Sequence, residues 1–563
     1  MGGILTLRIF ARWTLNVAAL WCLFAGAVHG QEPTEAERPN PRPLETPTYL
    51  PETPDKTFEL PPVKELPPTP DASGPTLEVK AVAFEGNAAI ATSELELVAA
   101  PYLQRPVTRI ELEQLRERIS RYYLERGYVN SGAILPDDFY RNGVVRLQII
   151  EGRIEEIQLT GMGRLQDGYV RERLIGGDEV FNVNVLQERF RLLLTDPLFG
   201  KINARLQPGS KLGLARLDLD VTRARAWDLA VFGNNYRSPS VGAEAIGATG
   251  RVRNLTGLGD AFDASAQGGN RDNLRYGLGW TVPLAVRTQL RLRYDTGKSS
   301  VLEEPLEALD VKSELVSEEI GISHTFIEST RRNFSMGLSF TRRENSTALL
   351  GEPFSFVPGE ATGTSKVDAW RFDQDFVQRW EKQAFAIRST FTFGKTNVVE
   401  NAQFGDIVPP KRYAFWLGQL QFTRRLFEGG GDLLLRANLQ YSRDRLVSLE
   451  RFAIGGVSTV RGYRENQVVR DEGFNASIEF RYPLFDRPSN RHRVTLIPFI
   501  DYGEAKNKGE AKEELASVGL GINYQLGGLS ADLFYGKRLI EPDVKSSGDL
   551  QDDGIHFQLR YDF

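Results

Sequence analysis

The last nine residues, IHFQLRYDF, put Ile555, Phe557, Leu559, Tyr561 and Phe563 on one face of an extended chain. His556, Gln558, Arg560 and Asp562 fall on the other face, and the alternation runs to the final residue. Successive side chains of a strand point to opposite faces, so such a segment has one greasy side and one wet side. The same period of two runs back to about Ala226. In GDLLLRANLQYS, Leu433, Leu435, Ala437, Leu439 and Tyr441 oppose Arg436, Asn438, Gln440 and Ser442. In FNASIEFRYP, Phe474, Ala476, Ile478, Phe480 and Tyr482 oppose Asn475, Ser477, Glu479 and Arg481. In VRTQLRLRYD every odd position from Arg287 to Asp295 is polar. Roughly sixteen such stretches leave about 21 residues for each strand with its turn, which suits a tilted membrane strand of about ten residues.

A soluble sandwich also alternates, so the period leaves two classes open. Mean hydropathy is −0.32 and no internal run of eighteen apolar residues occurs. That excludes a bundle of membrane helices but not a barrel, whose lipid face occupies only every second position. The N-terminus tips the balance. Arg8 and Arg12 precede a largely apolar Trp13–Val28, and Val28-His29-Gly30 supplies small residues for cleavage, so residues 1–30 read as an export signal. The only cysteine, Cys22, lies inside it, and removal leaves a chain without thiol or disulfide chemistry. An exported, cysteine-free chain ending in an amphipathic strand with a terminal phenylalanine favours a transmembrane β-barrel over residues 226–563.

Two further regions precede it. Thirteen prolines between Glu32 and Pro75 make residues 31–75 an extended linker, because proline fixes φ and removes backbone donors. From Thr76 the pattern becomes mixed. TLEVKAVAFEGN reads as a strand, a short helix follows near Thr92, and TRIELEQLRERISRYYLERG is a helix with Ile110, Leu115, Ile119, Tyr122 and Tyr123 near helical spacing. GYVNSGAILP and GVVRLQIIEG are strands. RIEEIQLTG, GYVRERLI, VNVLQERFRLLLTD, INARLQPG and ARLDLDVT replay the order β-α-α-β-β. Two similar α+β modules are therefore expected over residues 76–152 and 153–225.

Little here supports catalysis. Four histidines are present, none at ligand spacing with another, and no GxSxG elbow occurs. GLGD and GGNRDN fit hairpin turns, since no helical pattern follows them. No catalytic residue, metal or cofactor is expected, and a net charge of −5 leaves no footprint of nucleic-acid binding.

One constellation does stand out. GGVSTVRGYREN, from Gly455 to Asn466, is flexible and carries Arg461 at its centre. Downstream, RVTLIPFIDYGEA alternates as a strand, with Leu496, Pro498, Ile500 and Tyr502 toward lipid and Phe499, Asp501 and Gly503 toward the lumen. An inward aspartate needs a partner or water, and an arginine on a loop folded inward provides a bidentate one. In a water-filled lumen that pair would be worth on the order of 1 kcal/mol, so it would position the loop more than it stabilises it. From spacing alone, an exposed basic loop and an unrelated lumen acid is the better reading.

VRGY (Val460, Arg461, Gly462, Tyr463) with FIDYG (Phe499, Asp501, Gly503) resembles the paired motifs of the TpsB family. These are outer-membrane transporters of two-partner secretion (haemolysin secretion/activation proteins of the ShlB/FhaC/HecB kind), within the BamA-like superfamily. YYLERGYVNSGAILPDD with GVVRLQIIEGRIEEIQLTG is similar to the first of that family's two POTRA modules, and NNYRSPSVGAEAIGATGRVRNLTGLGD to its first barrel hairpin. The resemblance spans about Thr76 to Phe563. It implies two periplasmic α+β POTRA domains and an all-β barrel of sixteen antiparallel strands in the bacterial outer membrane. It also implies Arg461 paired with Asp501 inside the lumen, and a secreted exoprotein of the adhesin or haemolysin class as client. Phe557, Leu559, Tyr561 and Phe563 would be the signal read by the barrel assembly machinery, and a monomer would suffice. Many members begin with a helix that plugs the pore; the proline-rich residues 31–75 do not favour one here. An assembly factor that inserts other barrels, or a passive porin or receptor, are the alternatives.

Overall fold

The computed structural model describes residues 44–50, 58–59, 75–176, 179–270, 273–303, 306–399, 408–542 and 548–563. The export signal, the candidate N-terminal plug and most of the linker lie outside them.

The first module is built around the helix Arg109–Glu125. Thr108 caps it: its hydroxyl accepts from the Glu111 amide at 3.2 Å while the Glu111 carboxylate accepts from the Thr108 amide at 2.8 Å. Its buried stripe is Leu112, Leu115, Ile119 and Tyr123, and Leu95, Val145 and Leu147 complete the core. Ile110 and Tyr122, expected on that stripe, are only half-buried. TLEVKAVAFE, read as one strand, is two. Thr76–Val79 pairs antiparallel with Arg105–Thr108, and Ala81–Glu85 pairs parallel with Val144–Ile150. The second module repeats the plan with Arg153–Thr160, helices Asp167–Leu174 and Val183–Leu194, and strands Phe199–Pro208 and Leu214–Arg223. Its core is again aliphatic and aromatic, including Val170, Leu174, Leu186, Phe190, Ile202 and Leu217.

The linker differs from a free spacer where it is described. Phe58–Glu59 pairs parallel with Ala204 and Arg205 on the outer side of Phe199–Pro208. The stretch 44–50 lies against the barrel: the Tyr49 hydroxyl donates to Asp432 Oδ1 at 2.7 Å and the Leu50 amide to the Trp380 carbonyl at 3.0 Å. Both contacts fall on islands between prolines, where backbone donors survive.

From Trp227–Asn234 to Ile555–Asp562, sixteen strands pair antiparallel in chain order and close on themselves; the two-residue Glu352–Pro353 is only a small hairpin beside them. Closure is the narrowest pairing, running from Ala230 opposite Asp562 to Asn234 opposite Gln558. Strands beside this seam have 8 residues, whereas Lys312–Glu328 and Arg332–Leu349 have 17 and 18. Leu278, Ile320, Leu338, Trp370, Ile500, Leu520 and Leu559 are exposed on the outside, while Ser339, Thr341, Asn345, Thr392, Gln440 and Asn475 are buried inside. A continuous exposed apolar belt of this kind needs lipid, not water. Among the described residues no helix is long and apolar enough to cross a membrane. Leu559, Tyr561 and Phe563 lie on that outer belt, and the Phe563 amide donates to the Leu229 carbonyl at 3.0 Å across the seam.

The second module sits beneath the barrel's short turns. The Gln166 amide donates to the Gly257 carbonyl at 2.9 Å, and Glu188 Oε1 accepts from the Thr330 amide at 2.7 Å and hydroxyl at 2.9 Å. The long loops therefore occupy the far end, and the longest of them, residues 443–471, joins Asp432–Ser442 to Glu472–Arg487.

Candidate functional site: a latched loop inside the lumen

The loop 443–471 folds back into the barrel rather than outward. Its base is tied by Asp471, whose Oδ1 accepts from the Leu446 amide at 2.9 Å. A short ladder of Phe452–Ile454 against Val468–Arg470 then carries GGVSTVRGYREN inward. Val460, Tyr463, Phe452, Ile454 and Val468 pack with Leu417, Ala505 and Leu515 of the wall.

Arg461 is 1% exposed and is among the largest fully buried side chains of the protein. Its Nε and Nη2 donate to the two oxygens of Asp501 at 2.8 and 2.7 Å, and its own amide donates to the same carboxylate at 3.0 Å. Nη1 reaches Glu479 at 2.8 Å and Nη2 reaches the Ser477 hydroxyl at 2.9 Å. The guanidinium carbon lies 3.6 Å from the centre of the Phe499 ring and 5.3 Å from that of Phe534. Every nitrogen of the fork is thus satisfied and its flat face is stacked, a use of arginine that lysine cannot reproduce.

The neighbours of Arg461 are as closely placed. Gly462 has φ +92°, and a Cβ there would stand 2.6 Å from the Gly536 carbonyl, so the loop crosses the strand Leu529–Arg538 at backbone contact. The Gly462 amide donates to His556 Nε2 at 3.3 Å, and its carbonyl accepts from Arg538 Nε at 2.6 Å. The Tyr463 hydroxyl lies 2.8 Å from the Ala516 carbonyl and 2.6 Å from that of Ile540. Gly503 leaves the space that Val460 fills: a Cβ there would meet Val460 Cγ2 at 2.9 Å. Arg464 grips Asp552 through two nitrogens at 2.6 and 2.9 Å and reaches Glu303 at 2.8 Å.

All seven residues of VRGY and FxDxG singled out by sequence therefore meet at one place. The estimate of a weak, hydrated pair does not hold. Asp501 is 3% exposed, and the pair is buried beneath the loop's own apolar residues and beside the rings of Phe499 and Phe534. Breaking one partner of such a pair costs about 3–5 kcal/mol rather than about 1 kcal/mol. Sequence reasoning missed Glu479, Ser477, His556, Phe534 and the second arginine, Arg464. Glu479 and Ser477 sat on the recognised inward face of FNASIEFRYP, two residues apart, but nothing in the sequence aims them at a loop. Phe557, unlike the VRGY residues, takes no part in the cluster; its amide donates to Asn235 Oδ1 at 2.8 Å.

A polar-lined, lipid-belted barrel with an inward-latched loop, carried on periplasmic α+β modules, defines an outer-membrane barrel protein of the POTRA class. The chain belongs to the family described as haemolysin secretion/activation protein ShlB/FhaC/HecB, whose model matches residues 213–524, and residues 77–152 match the ShlB-type POTRA domain. It is similar to the heme/hemopexin transporter protein HuxB of Haemophilus influenzae (strain 86-028NP), 23% identical over 467 residues covering 78% of this chain and 79% of that one. It is also similar to the outer membrane transporter CdiB of Escherichia coli, 21% identical over 504 residues covering 84% and 82%. The solved structure of CdiB from Escherichia coli superposes with a TM-score of 0.70 at 18% identity, covering 89% of this chain and 93% of that one. The protein is a two-partner secretion transporter that moves a secreted exoprotein across the outer membrane, with its POTRA domains in the periplasm.

Proposed function

We propose that the POTRA pair captures the exoprotein unfolded and feeds it to a lumen whose cross-section is set by the loop 443–471. The observation that carries this reading is the buried Arg461–Asp501–Glu479 cluster, which holds the loop inside the barrel. Capture would proceed by strand addition, in which main-chain hydrogen bonds give affinity without demanding one sequence. Arg153–Thr160 is an eight-residue edge of the second POTRA sheet, and the outer side of Phe199–Pro208 is paired only at Ala204 and Arg205 among the described residues. The protein does no covalent chemistry in this reading. Folding of the client outside the cell supplies direction.

The client is taken to be of the adhesin or haemolysin class; relatives named as heme/hemopexin, haemolysin and CdiB transporters support an exoprotein of that kind. Phe557, Leu559, Tyr561 and Phe563 serve as the signal for the barrel assembly machinery, and one copy is the working unit. The boundaries proposed are signal 1–30, linker 31–75, POTRA 76–152 and 153–225, and barrel 226–563. Deleting the gene should remove one exoprotein from the medium while other outer-membrane proteins keep their levels. A general fall in outer-membrane proteins would instead indicate an assembly factor.

A further inference from the structure

RNLTGLGD, the turn from Arg253 to Asp260 after the strand Ala245–Arg253, is where the second POTRA module meets the barrel at backbone distance. Three of its eight residues have left-handed backbone: Asn254 at φ +58°, Gly257 at +91° and Gly259 at +84°. Asp260 ties the turn shut. This buried carboxylate accepts from the Thr256 amide at 2.9 Å and hydroxyl at 2.8 Å through Oδ1, and from Trp280 Nε1 at 2.9 Å through Oδ2. Asn254 Oδ1 accepts from the Gly259 amide at 3.0 Å. A buried acid with both oxygens bonded leaves the turn one conformation.

The module presents an equally fixed group. Tyr169 stands on the helix Asp167–Leu174, its hydroxyl donates to Asp196 Oδ2 at 2.7 Å, and the Arg173 guanidinium carbon lies 3.5 Å from its ring centre. The ring rests on Gly259, where a Cβ would stand 2.2 Å from Tyr169 Cε2. Gly257 is as close: a Cβ there would stand 2.8 Å from the Arg164 carbonyl, and the Gly257 carbonyl accepts from the Gln166 amide at 2.9 Å. Glycine serves twice in one turn, for its φ and for the approach it permits. The contact of Glu188 with Thr330, by comparison, hangs on one long side chain that is 34% exposed. Beside the joint a cleft of about 330 Å³ is lined by Tyr169 and Arg173 of the module and by Arg251, Arg287 and Gln289 of the wall. Arg287 and Gln289 share the polar, inward parity of their strand, so the joint stands at the entrance to the lumen.

We propose that Tyr169 seated on Gly259 is the positioning joint of the transporter: it fixes the angle at which the second POTRA module, with its sheet edge Arg153–Thr160, faces the entrance to the lumen. This rests on the reading of the POTRA pair as the site of capture, but the angle itself is measured without a client. Spin labels at the exposed positions Lys211→Cys and Glu428→Cys of the full-length protein in detergent should give one narrow distance. Gly259→Ala should shift it by about 1.5 Å or more, since the ring must withdraw from 2.2 Å to an ordinary contact of about 3.5–4.0 Å. Tyr169→Ala should broaden it, and Tyr169→Phe, which keeps the ring, should leave it unchanged. Gly259→Ala added to Tyr169→Ala should change nothing further, because no ring is left to push. Secretion should fall several-fold in Gly259→Ala and Tyr169→Ala barrels of normal heat-modifiable mobility, and hold in Tyr169→Phe. Wild-type distances in the Gly259→Ala and Tyr169→Ala proteins overturn the proposal. So does a Gly259→Ala shift of equal size in the Tyr169→Ala background, which would place the effect in the turn alone. Normal secretion alongside a broadened distance overturns the part of the joint in delivery. If deleting the gene removes no exoprotein, the capture reading falls and the distances still decide the joint.

Discussion

The POTRA modules bury apolar side chains almost alone, whereas the barrel buries charged and polar ones beside its apolar clusters. In the first module the largest fully buried side chains are Leu95, Leu112, Leu115, Ile119, Tyr123 and Leu147; in the barrel they are Arg461 and Tyr463. The modules fold in water, so apolar area goes inward and provides the driving force. The barrel folds in lipid, so apolar area goes outward, and its interior is held by hydrogen bonds and ion pairs in a water-poor space. The lesson concerns sensitivity. A module tolerates a lost charge and fails on a lost methylene, whereas the lumen tolerates neither an unmatched charge nor an added Cβ where backbones touch.

The largest break in this comparison should come from Arg461→Asp. It removes a fully bonded cation and puts a third carboxylate beside Asp501 and Glu479, at a cost of about 3–5 kcal/mol or more. Secretion should cease while the barrel still inserts, as read by heat-modifiable mobility and exoprotein in the medium. Adding Asp501→Arg should restore little, because Glu479, Ser477 and Phe499 are arranged for a cation on the loop side. Full rescue would show that the pair alone matters.

Leu115→Ala tests the other side. A buried leucine lost from a packed helix costs about 2–5 kcal/mol, so the first module should melt early by circular dichroism with barrel mobility unchanged. Gly462→Ala should cost about 1–3 kcal/mol, from a left-handed φ and the collision with the Gly536 carbonyl, and should show as faster loss of heat-modifiable mobility. The smallest effect belongs to the capping box. The Thr108 amide and then Arg105 hold the Glu111 carboxyl below its usual range. A lowered carboxylate stabilises the fold above its unfolded value and loses that contribution as pH falls through its folded one. Below about pH 4 the first module should therefore lose melting temperature more steeply than a Glu111→Gln variant does.

Much of the architecture was legible because period and position carry it. Alternation from Ala226 to Phe563 determined the strands and their inward and outward faces, since the side-chain period of a strand is fixed by covalent geometry. Repetition of β-α-α-β-β determined two modules. TLEVKAVAFE misled because both halves are extended and only their different partners separate them. The linker misled because proline content forbids a core but says nothing of the few residues between prolines that still donate.

The site was half legible. VRGY and FxDxG named Arg461 and Asp501, and inward parity named Glu479 without a role. What only the tertiary structure decided is that the loop turns into the lumen, that its tip is buried there, and that Glu450 of the same loop meets Arg343 and Arg371. Those contacts join residues 16 to 107 positions apart, and no local rule of strand or turn sets where two such distant segments meet. Covalent geometry writes the face of each residue into the sequence; closure of the barrel decides what that face touches.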